Sequence, residues 1–325
     1  MELGDYRAQI DEIDHKLVEL FAKRMDVAAG IAAYKKEHGL SVLDPVRERE
    51  KLQKTVQSAP EALRDYTASL YSLLFELSRC YQNRLLGGDT ALTCEIQTAM
   101  DETPKLFPTQ ASVACQGVAG AYSQLACDKL FKLPNIMYFA SFEAVFAAIE
   151  KGLCRYGVLP LENSTAGSVN AIYDLMMKHD FRIVRSVRLK VDHNLLVKPG
   201  TRREDITEIY SHQQALTQCQ RYLQGFPGVK LIPCENTAVA ARKVAEGDGH
   251  IAALSSRSCM KLYGLECLEA SVQDQGNNFT RFICISKKLE IYPGADRTSL
   301  MAVLPHEPGS LCRVLSRFYA LGLNL

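Results

Sequence analysis

The stretch NNFTRFICIS, residues 277–286, joins a polar knot to a run of apolar and β-branched residues. A short apolar run beside turn-forming residues marks a buried strand. A chain that needed only a strand there would continue apolar to its end, so Thr280, set between Asn278 and Arg281, stands out at the strand's mouth. Outward from it, similar runs recur from Ala111 onward: ASVACQ, IMYFA, YGVLPL, RIVRSVRLKV, HNLLVK, ITEIYS, KLIPC and IAALSS. Between them lie segments of helical period: YSQLACDKLF, SFEAVFAAIEKG, AIYDLMMKH, QQALTQCQRYLQGF and TAVAARKVAEG. This alternation predicts an α/β domain, and the strands are too many for one ordinary sheet. Two lobes with a ligand cleft between them are expected.

Upstream the pattern is helical. From Tyr6 to Glu37 there is almost no Gly or Pro, which predicts one helix of about 32 residues and about 48 Å. Asp44 and Pro45 suit the N-cap and first position of a second helix to about Gln57, and a third runs from Glu61 to about Leu86. Two shorter neighbours cannot cover the first helix, so a second copy of the chain is expected against it. Residues 87–110, rich in Gly, Pro and polar residues, read as a linker without regular structure. Residues 297–325 read as strand, turn, helix and the start of another strand. The expected domains are 1–88, 111–288 and 297–325, with the linker proper at 89–110.

Composition excludes several classes. The 325 residues carry 38 Lys and Arg against 37 Asp and Glu, with no basic, aromatic-interleaved surface for nucleic acid. The charged start MELGDYRAQIDE and the absence of an apolar run of membrane length predict a cytoplasmic protein with no membrane contact. Eleven cysteines without a C-x-x-C pair read as reduced and mostly buried. Neither a dinucleotide nor a phosphate-loop motif is present, so no cofactor and no metal are expected.

With Arg24 as the zero of angle and 100° per residue, Ile13, Leu17, Leu20 and Ile31 fall within about 40°, and Lys35 at about 20°. Two cations therefore stand in an apolar stripe and need anionic partners. Arg7 lies about 100° away and about 25 Å along the axis, so only a crossed pair of chains brings it to the same pocket. The second helix adds Asp44, Arg47 and Glu48 in its first turn, and the third sets Ser78 and Gln82 at i and i+4 in an apolar line. Three arginines, a lysine, a carboxylate, an amide and a hydroxyl in a dry pocket suit a compact dicarboxylate.

These residues resemble the helical chorismate mutases, over nearly all of residues 5–86. The resemblance implies three helices intertwined in a homodimer, with Arg7 reaching into the partner's site, and the rearrangement of chorismate to prephenate. It implies that Arg7, Arg24 and Arg47 hold the carboxylates, that Lys35 and Gln82 sit at the ether oxygen, and that Glu48 binds the ring hydroxyl. Asp44 and Ser78 complete the expected pocket.

Residues 111–288 resemble prephenate dehydratase through GVAGAYS (117–123), PLENSTAGS (160–168) and NNFTRF, together with YSHQQALTQC, ENTAVAARKVA and IAALSSRSCMKLYGLECL. Val118 and Gln213 stand where many relatives have proline. The resemblance implies a two-lobed α/β fold like that of periplasmic binding proteins, and the conversion of prephenate to phenylpyruvate. Thr280, near Arg281, would then supply the departing hydroxyl with a hydrogen bond. Asn163, Ser164 and Thr165 would grip carboxylates through backbone amides, with Tyr122, Ser123 and Asn278 also at the substrate. Glu162 either orients Asn163 or is a surface acid. The product of the first reaction is the substrate of the second, which implies phenylalanine biosynthesis. Arogenate in place of prephenate stays open, as does a ligand-binding regulator without turnover, against which Lys35, Gln82 and Thr280 count. Residues 297–325 resemble the beginning of an ACT domain, with Gly309, Ser310 and Leu311 at its effector turn. Phenylalanine is the implied effector of a complete one. The domain is expected to be cut short, leaving Leu321, Leu323 and Leu325 uncovered.

Overall fold

The computed structural model describes residues 2–87 and 90–324. Gly88, the expected edge of the first domain, and Leu325, the last of the three leucines named above, lie outside the described residues. The chain forms two compact units, Met1–Ala91 with Leu300–Leu325, and Leu92–Ser299.

In the first unit, α1 (Leu3–Glu37), α2 (Pro45–Ser58) and α3 (Arg64–Leu86) form the expected three helices, α3 being preceded by a 3-10 turn at Glu61–Leu63. Asp44 caps α2, its Oδ1 accepting from the Arg47 amide at 3.0 Å. The stripe on α1 is not buried within the chain: Ile13 is 52%, Leu17 54% and Leu20 62% exposed, and the buried positions of α1 are Ala28 and Ala32. The reason is length. At 1.5 Å per residue α1 extends about 52 Å, and α3 only about 35 Å.

The second unit opens with α4 (Ala91–Glu102), a helix inside the expected linker. Leu92, Ile96 and Met100 recur at four-residue spacing with Ala99 buried beside them, and Glu95 on this helix pairs with Arg182 at 2.9 Å. Tertiary contact thus orders a segment whose flanking Gly and Pro suggested a loop.

One lobe of this unit is a sheet of β1 (Gln110–Gln116), β2 (Leu133–Phe139), β3 (Tyr156–Asn163), β4 (Gly167–Ser168), β5 (Arg182–Lys190) and β11 (Phe279–Ser286). Its order is β2-β1-β3-β11-β5, with β4 paired to β3. Helices α5 (Tyr122–Leu130), α6 (Phe142–Glu150) and α7 (Asn170–Met176) connect its strands. On β11, Ile283 and Ile285 join a core with Val145, Phe146 and Leu159, while Phe282 and Cys284 join another with Val113, Cys127 and Phe131. A strand buried on both faces reads as an unbroken apolar run, which is what FICIS is.

The other lobe is a sheet of β6 (Asn194–Val197), β7 (Glu208–His212), β8 (Lys230–Cys234), β9 (Ile251–Ser255) and β10 (Glu266–Glu269), in the order β10-β6-β9-β7-β8. Its helices are α8 (Gln213–Gln218), α9 (Gln220–Leu223), α10 (Thr237–Glu246) and α11 (Ser258–Tyr263). The expected single helix over QQALTQCQRYLQGF is broken at Cys219 into α8 and α9. Two crossings join the lobes and brace each other. The Val191 amide donates to the Asn278 carbonyl at 2.8 Å, and the Val272 amide to the His193 carbonyl at 2.8 Å. Gln273 clamps the same place, donating to Asp192 Oδ1 at 2.9 Å and accepting from the His193 amide at 3.0 Å.

The tail forms α12 (Ser310–Ala320) as expected, and this helix packs on α3. The strand expected over residues 297–305 is not formed. A strand needs a neighbour to take its backbone hydrogen bonds, and none lies alongside among the described residues. Leu321 and Leu323 are 56% and 53% exposed. Among the described residues no helix is long and apolar enough to cross a membrane, and no cluster of His, Cys, Asp or Glu has the arrangement of a metal site.

Candidate functional site

The pairing of β11 with β3 sets Thr280 opposite Asn163 and Arg281 opposite Glu162. Asn163 Oδ1 accepts from the Thr165 amide at 3.0 Å, the Ala166 amide at 2.9 Å and the Thr165 hydroxyl at 2.7 Å. Three donors on one oxygen fix which way the amide points. Its Nδ2 therefore faces Thr280 Oγ1 at 2.9 Å and Asn278 Oδ1 at 2.7 Å. Thr280 receives a hydrogen bond from Asn163, so its own proton has no acceptor among the described residues and is free for a ligand.

The same logic runs outward into the second lobe. Asn278, 1% exposed, donates through Nδ2 to Gln218 Oε1 at 2.9 Å, and Gln218 Nε2 donates to Thr165 Oγ1 at 2.7 Å. His193 Nε2 meets the same Gln218 oxygen at 3.0 Å. That oxygen is an acceptor, so His193 carries its proton on Nε2. Burial lowers the pKa of His193 and keeps the ring neutral, with Nδ1 unpartnered among the described residues. The result is a one-way chain of hydrogen bonds, His193 to Gln218 to Thr165 to Asn163 to Thr280. Gln218 and His193 were not singled out from the sequence. The signal was there: His193 stands in front of the apolar run NLLV, and Gln218 adjoins the buried Cys219.

Several expected roles change. The backbone amides of residues 164 to 166 do not await a carboxylate: that of Ser164 donates to the Phe279 carbonyl at 2.8 Å, and those of Thr165 and Ala166 to Asn163. Ser164 Oγ is likewise taken, donating to the Asn277 carbonyl at 2.7 Å and accepting from the Phe279 amide at 2.9 Å. Arg281 pairs with Glu162 at 3.4 Å, and strand alternation turns both away from the face that carries Thr280 and Asn163. Arg281 is therefore not beside the Thr280 hydroxyl, and Glu162 does not orient Asn163. Tyr122 acts as a strut, its hydroxyl donating to the Asp192 carbonyl at 2.6 Å, and burial raises its pKa. Ser123 is buried.

The GVAGAYS loop is where the lobes bear on each other. Tyr263 donates to the Ala119 carbonyl at 2.8 Å and Ser256 to the Gly120 carbonyl at 3.2 Å. Gly120 has φ +88°, and a Cβ there would stand 2.8 Å from Cys259 Sγ, so only glycine fits.

In the helical unit, Arg24 Nη1 donates to Ser78 Oγ at 3.1 Å and to the Leu74 carbonyl at 3.3 Å. One residue further along α3, Arg79 binds Glu48 from α2, so α1 and α2 both meet α3 at successive positions. Gln82 is 7% exposed, and its Oε1 is buried without a partner among the described residues. Lys35 Nζ donates to the Val42 carbonyl at 2.6 Å. Arg7, Asp44 and Arg47 are exposed, with Asp44 engaged as the cap of α2. One chain thus brings Arg24 and Glu48 to Ser78 and Arg79 in the C-terminal half of α3, where Gln82 also lies, and leaves Arg7 at the far end of α1. Arg79 was not foreseen, although a cation next to Ser78 on the polar side of the seam was visible. It also binds Glu76, which in turn binds Arg317 of α12. Burial opposes the charge on Glu76, but the Arg317 and Arg79 guanidinia outweigh it and hold this carboxyl below the usual range. At the head of α12, Gly309 has φ +79°, Ser310 is buried and Leu311 is 60% exposed.

Comparison with known proteins agrees with this division. The family described as "Chorismate mutase type II" matches residues 6–83, and "Prephenate dehydratase" matches residues 113–290. The bifunctional chorismate mutase/prephenate dehydratase of Escherichia coli (strain K12) is 32% identical over 321 residues, spanning 95% of this chain and 79% of the relative. The chloroplastic arogenate dehydratase/prephenate dehydratase 1 of Arabidopsis thaliana is 39% identical over 217 residues, or 66% of this chain and 55% of that protein. The solved structure of prephenate dehydratase from Arthrobacter aurescens in complex with L-Phe shares the fold, with 23% identity and a TM-score of 0.57 over 65% of this chain and 73% of that one. With both domains present in one chain, and a bifunctional relative similar along nearly all of it, the chain belongs to the bifunctional chorismate mutase/prephenate dehydratase family.

Proposed function

We propose that the helical unit converts chorismate to prephenate and the α/β unit converts prephenate to phenylpyruvate, two successive steps of phenylalanine biosynthesis in one cytoplasmic enzyme. The observation that carries the second activity is the free proton of Thr280 at the end of a directed hydrogen-bond chain. In the dehydratase step the carboxylate leaves as carbon dioxide, its bonding electrons enter the ring, and the ring hydroxyl departs with its own bonding pair. That departing oxygen gains negative charge and needs a donor. Thr280 donates to it, while Asn163 holds the Thr280 oxygen in place and Gln218 holds Thr165 behind Asn163. A neutral threonine is a weak acid, so its contribution is a placed hydrogen bond in an enclosed site rather than full proton transfer.

The mutase step needs no covalent chemistry. Arg24, Arg47 and a partner's arginine at position 7 hold the two carboxylates in a compact conformer. Lys35 and Gln82 stabilise the ether oxygen as its C–O bond breaks, the lysine through its ammonium and the glutamine through its Nε2 donor. Ser78 holds Arg24, Asp44 holds the start of α2 beneath Arg47, and Glu48 takes the ring hydroxyl. The open stripe on α1 and the distance of Arg7 support a homodimer through the N-terminal helices. Asn278, Thr165 and Ser164 shape the dehydratase loop, and Tyr122 and Ser123 support its floor.

Phenylalanine is the proposed effector where the ACT domain is complete, since a prephenate dehydratase of similar fold is named in complex with it, with Gly309, Ser310 and Leu311 at the turn that would meet it. The Arabidopsis relative's name pairs arogenate with prephenate, so arogenate is the alternative substrate of the second site. The test adds chorismate to the purified chain and follows prephenate and phenylpyruvate separately. Formation of both is expected, and formation of neither would end the enzymatic reading. Arogenate and prephenate supplied in parallel then rank the two dehydratase substrates.

A further inference from the structure

Arg79 has no part in the chemistry above, yet it stands between two carboxylates on different helices. Its side chain is 15% exposed, and it binds Glu48 Oε2 on α2 through Nη1 and Glu76 Oε2 on α3 through Nη2. Glu76 is 5% exposed, and its other oxygen takes Arg317 Nε from α12. A buried carboxylate stays charged only while its ion pairs are kept, so Glu76 is a fixed anchor. A guanidinium is a rigid planar fork, and fixing one prong fixes the other. The prong that remains is the one on Glu48.

We propose that Arg79 is a positioning residue for the mutase reaction: anchored by Glu76, it orients the Glu48 carboxylate toward the pocket that Arg24 and Ser78 frame. This rests on the reading of Glu48 as a substrate-binding group of that pocket. Arg317 closes the outer side of the anchor. The tail helix thereby supports Glu76 from outside α2 and α3.

The test is a double-mutant cycle on the full chain with chorismate as substrate, using E48Q, R79Q and the pair, with R79K alongside. E48Q is expected to lower mutase kcat/KM, and R79Q to lower it about tenfold, the worth of one charged hydrogen bond. The pair should be no worse than E48Q alone within about twofold, because Arg79 acts through Glu48. R79K should recover part of the loss, and dehydratase turnover of supplied prephenate should stay unchanged throughout. If E48Q itself behaves as wild type, the reading of Glu48 has failed and the proposal falls with it. If E48Q is impaired while R79Q is not, or the two losses multiply, Glu48 keeps its role and the proposal is overturned. Should R79Q lose its helical far-UV signal, the isosteric E76Q replaces it in the cycle under the same criterion.

Discussion

Around Thr280 the α/β unit supplies its polar partners from one chain: residues 115 apart in sequence, Asn163 and Asn278, meet at 2.7 Å. The helical unit does the opposite, leaving Leu17 and Leu20 open and Arg7 about 25 Å along α1 from Arg24. The contrast follows from geometry. Strand pairing brings distant residues into register across a sheet, so one chain can close a site. A straight helix keeps its two ends apart, so the far cation reaches a pocket at the helix centre only when it comes from another copy. On the proposed function, the dehydratase pocket is complete within one chain and the mutase pocket takes Arg7 from a second copy.

The sharpest way to break that contrast is to remove one hydroxyl. T280A should reduce dehydratase kcat by about 10²- to 10³-fold, the usual cost of a lost donor at a developing negative charge, and leave chorismate turnover as it was. T280S, which keeps the hydroxyl, should retain most activity. Loss of both reactions in a folded T280A protein would show that the two sites are not separate. On the other side, R24A should lower mutase kcat/KM by about a hundredfold, with supplied prephenate still dehydrated at the wild-type rate.

A smaller effect is expected from Q218E, which replaces the amide that donates to Thr165 with a carboxylate that can only accept. The chain toward Thr280 is then interrupted at its second link, and dehydratase kcat/KM should fall about tenfold. An unchanged rate would mean that the polar chain is merely structural. The smallest expected effect concerns pH. Burial lowers the pKa of His193, so below the ordinary value of about 6.5 the unfolded chain takes up a proton that the folded one resists. The melting temperature of the α/β unit should fall as pH drops through and below that value, and H193Q should flatten this dependence.

Much of the fold was legible because its signals are local. FICIS has apolar residues on both faces of a strand buried on both sides, and Asp44 with Pro45 begins a helix as a cap and a first position should. What failed was decided by distant contacts. α4 hid among Gly and Pro because what ties it to the rest of the unit is the buried Ala99 and the Glu95–Arg182 pair, and TSLMAV forms no strand because no neighbour among the described residues takes its hydrogen bonds. The apolar stripe of α1 was legible as a stripe, and what covers it was expected to be a second copy of the chain, since burial depends on what lies opposite. At the site, Thr280 and Asn163 could be found because polar residues at a strand's mouth are conspicuous. Gln218 and His193 lie in ordinary helical and extended contexts, and only the sheet pairing shows that they converge. The backbone amides of the ENST loop misled for the same reason: a turn rich in donors looks available until Asn163 Oδ1 is seen to collect them.

The shared pocket can be tested directly by co-expressing two differently tagged chains, one R7A and one R24A, and isolating the mixed pair. Each variant alone should turn over chorismate about a hundredfold less efficiently than the wild type. A mixed dimer built as argued contains one pocket with both arginines intact and one with neither, so it should recover about half of wild-type mutase turnover. A mixed pair as inactive as its two parents would contradict a mutase site assembled from two chains.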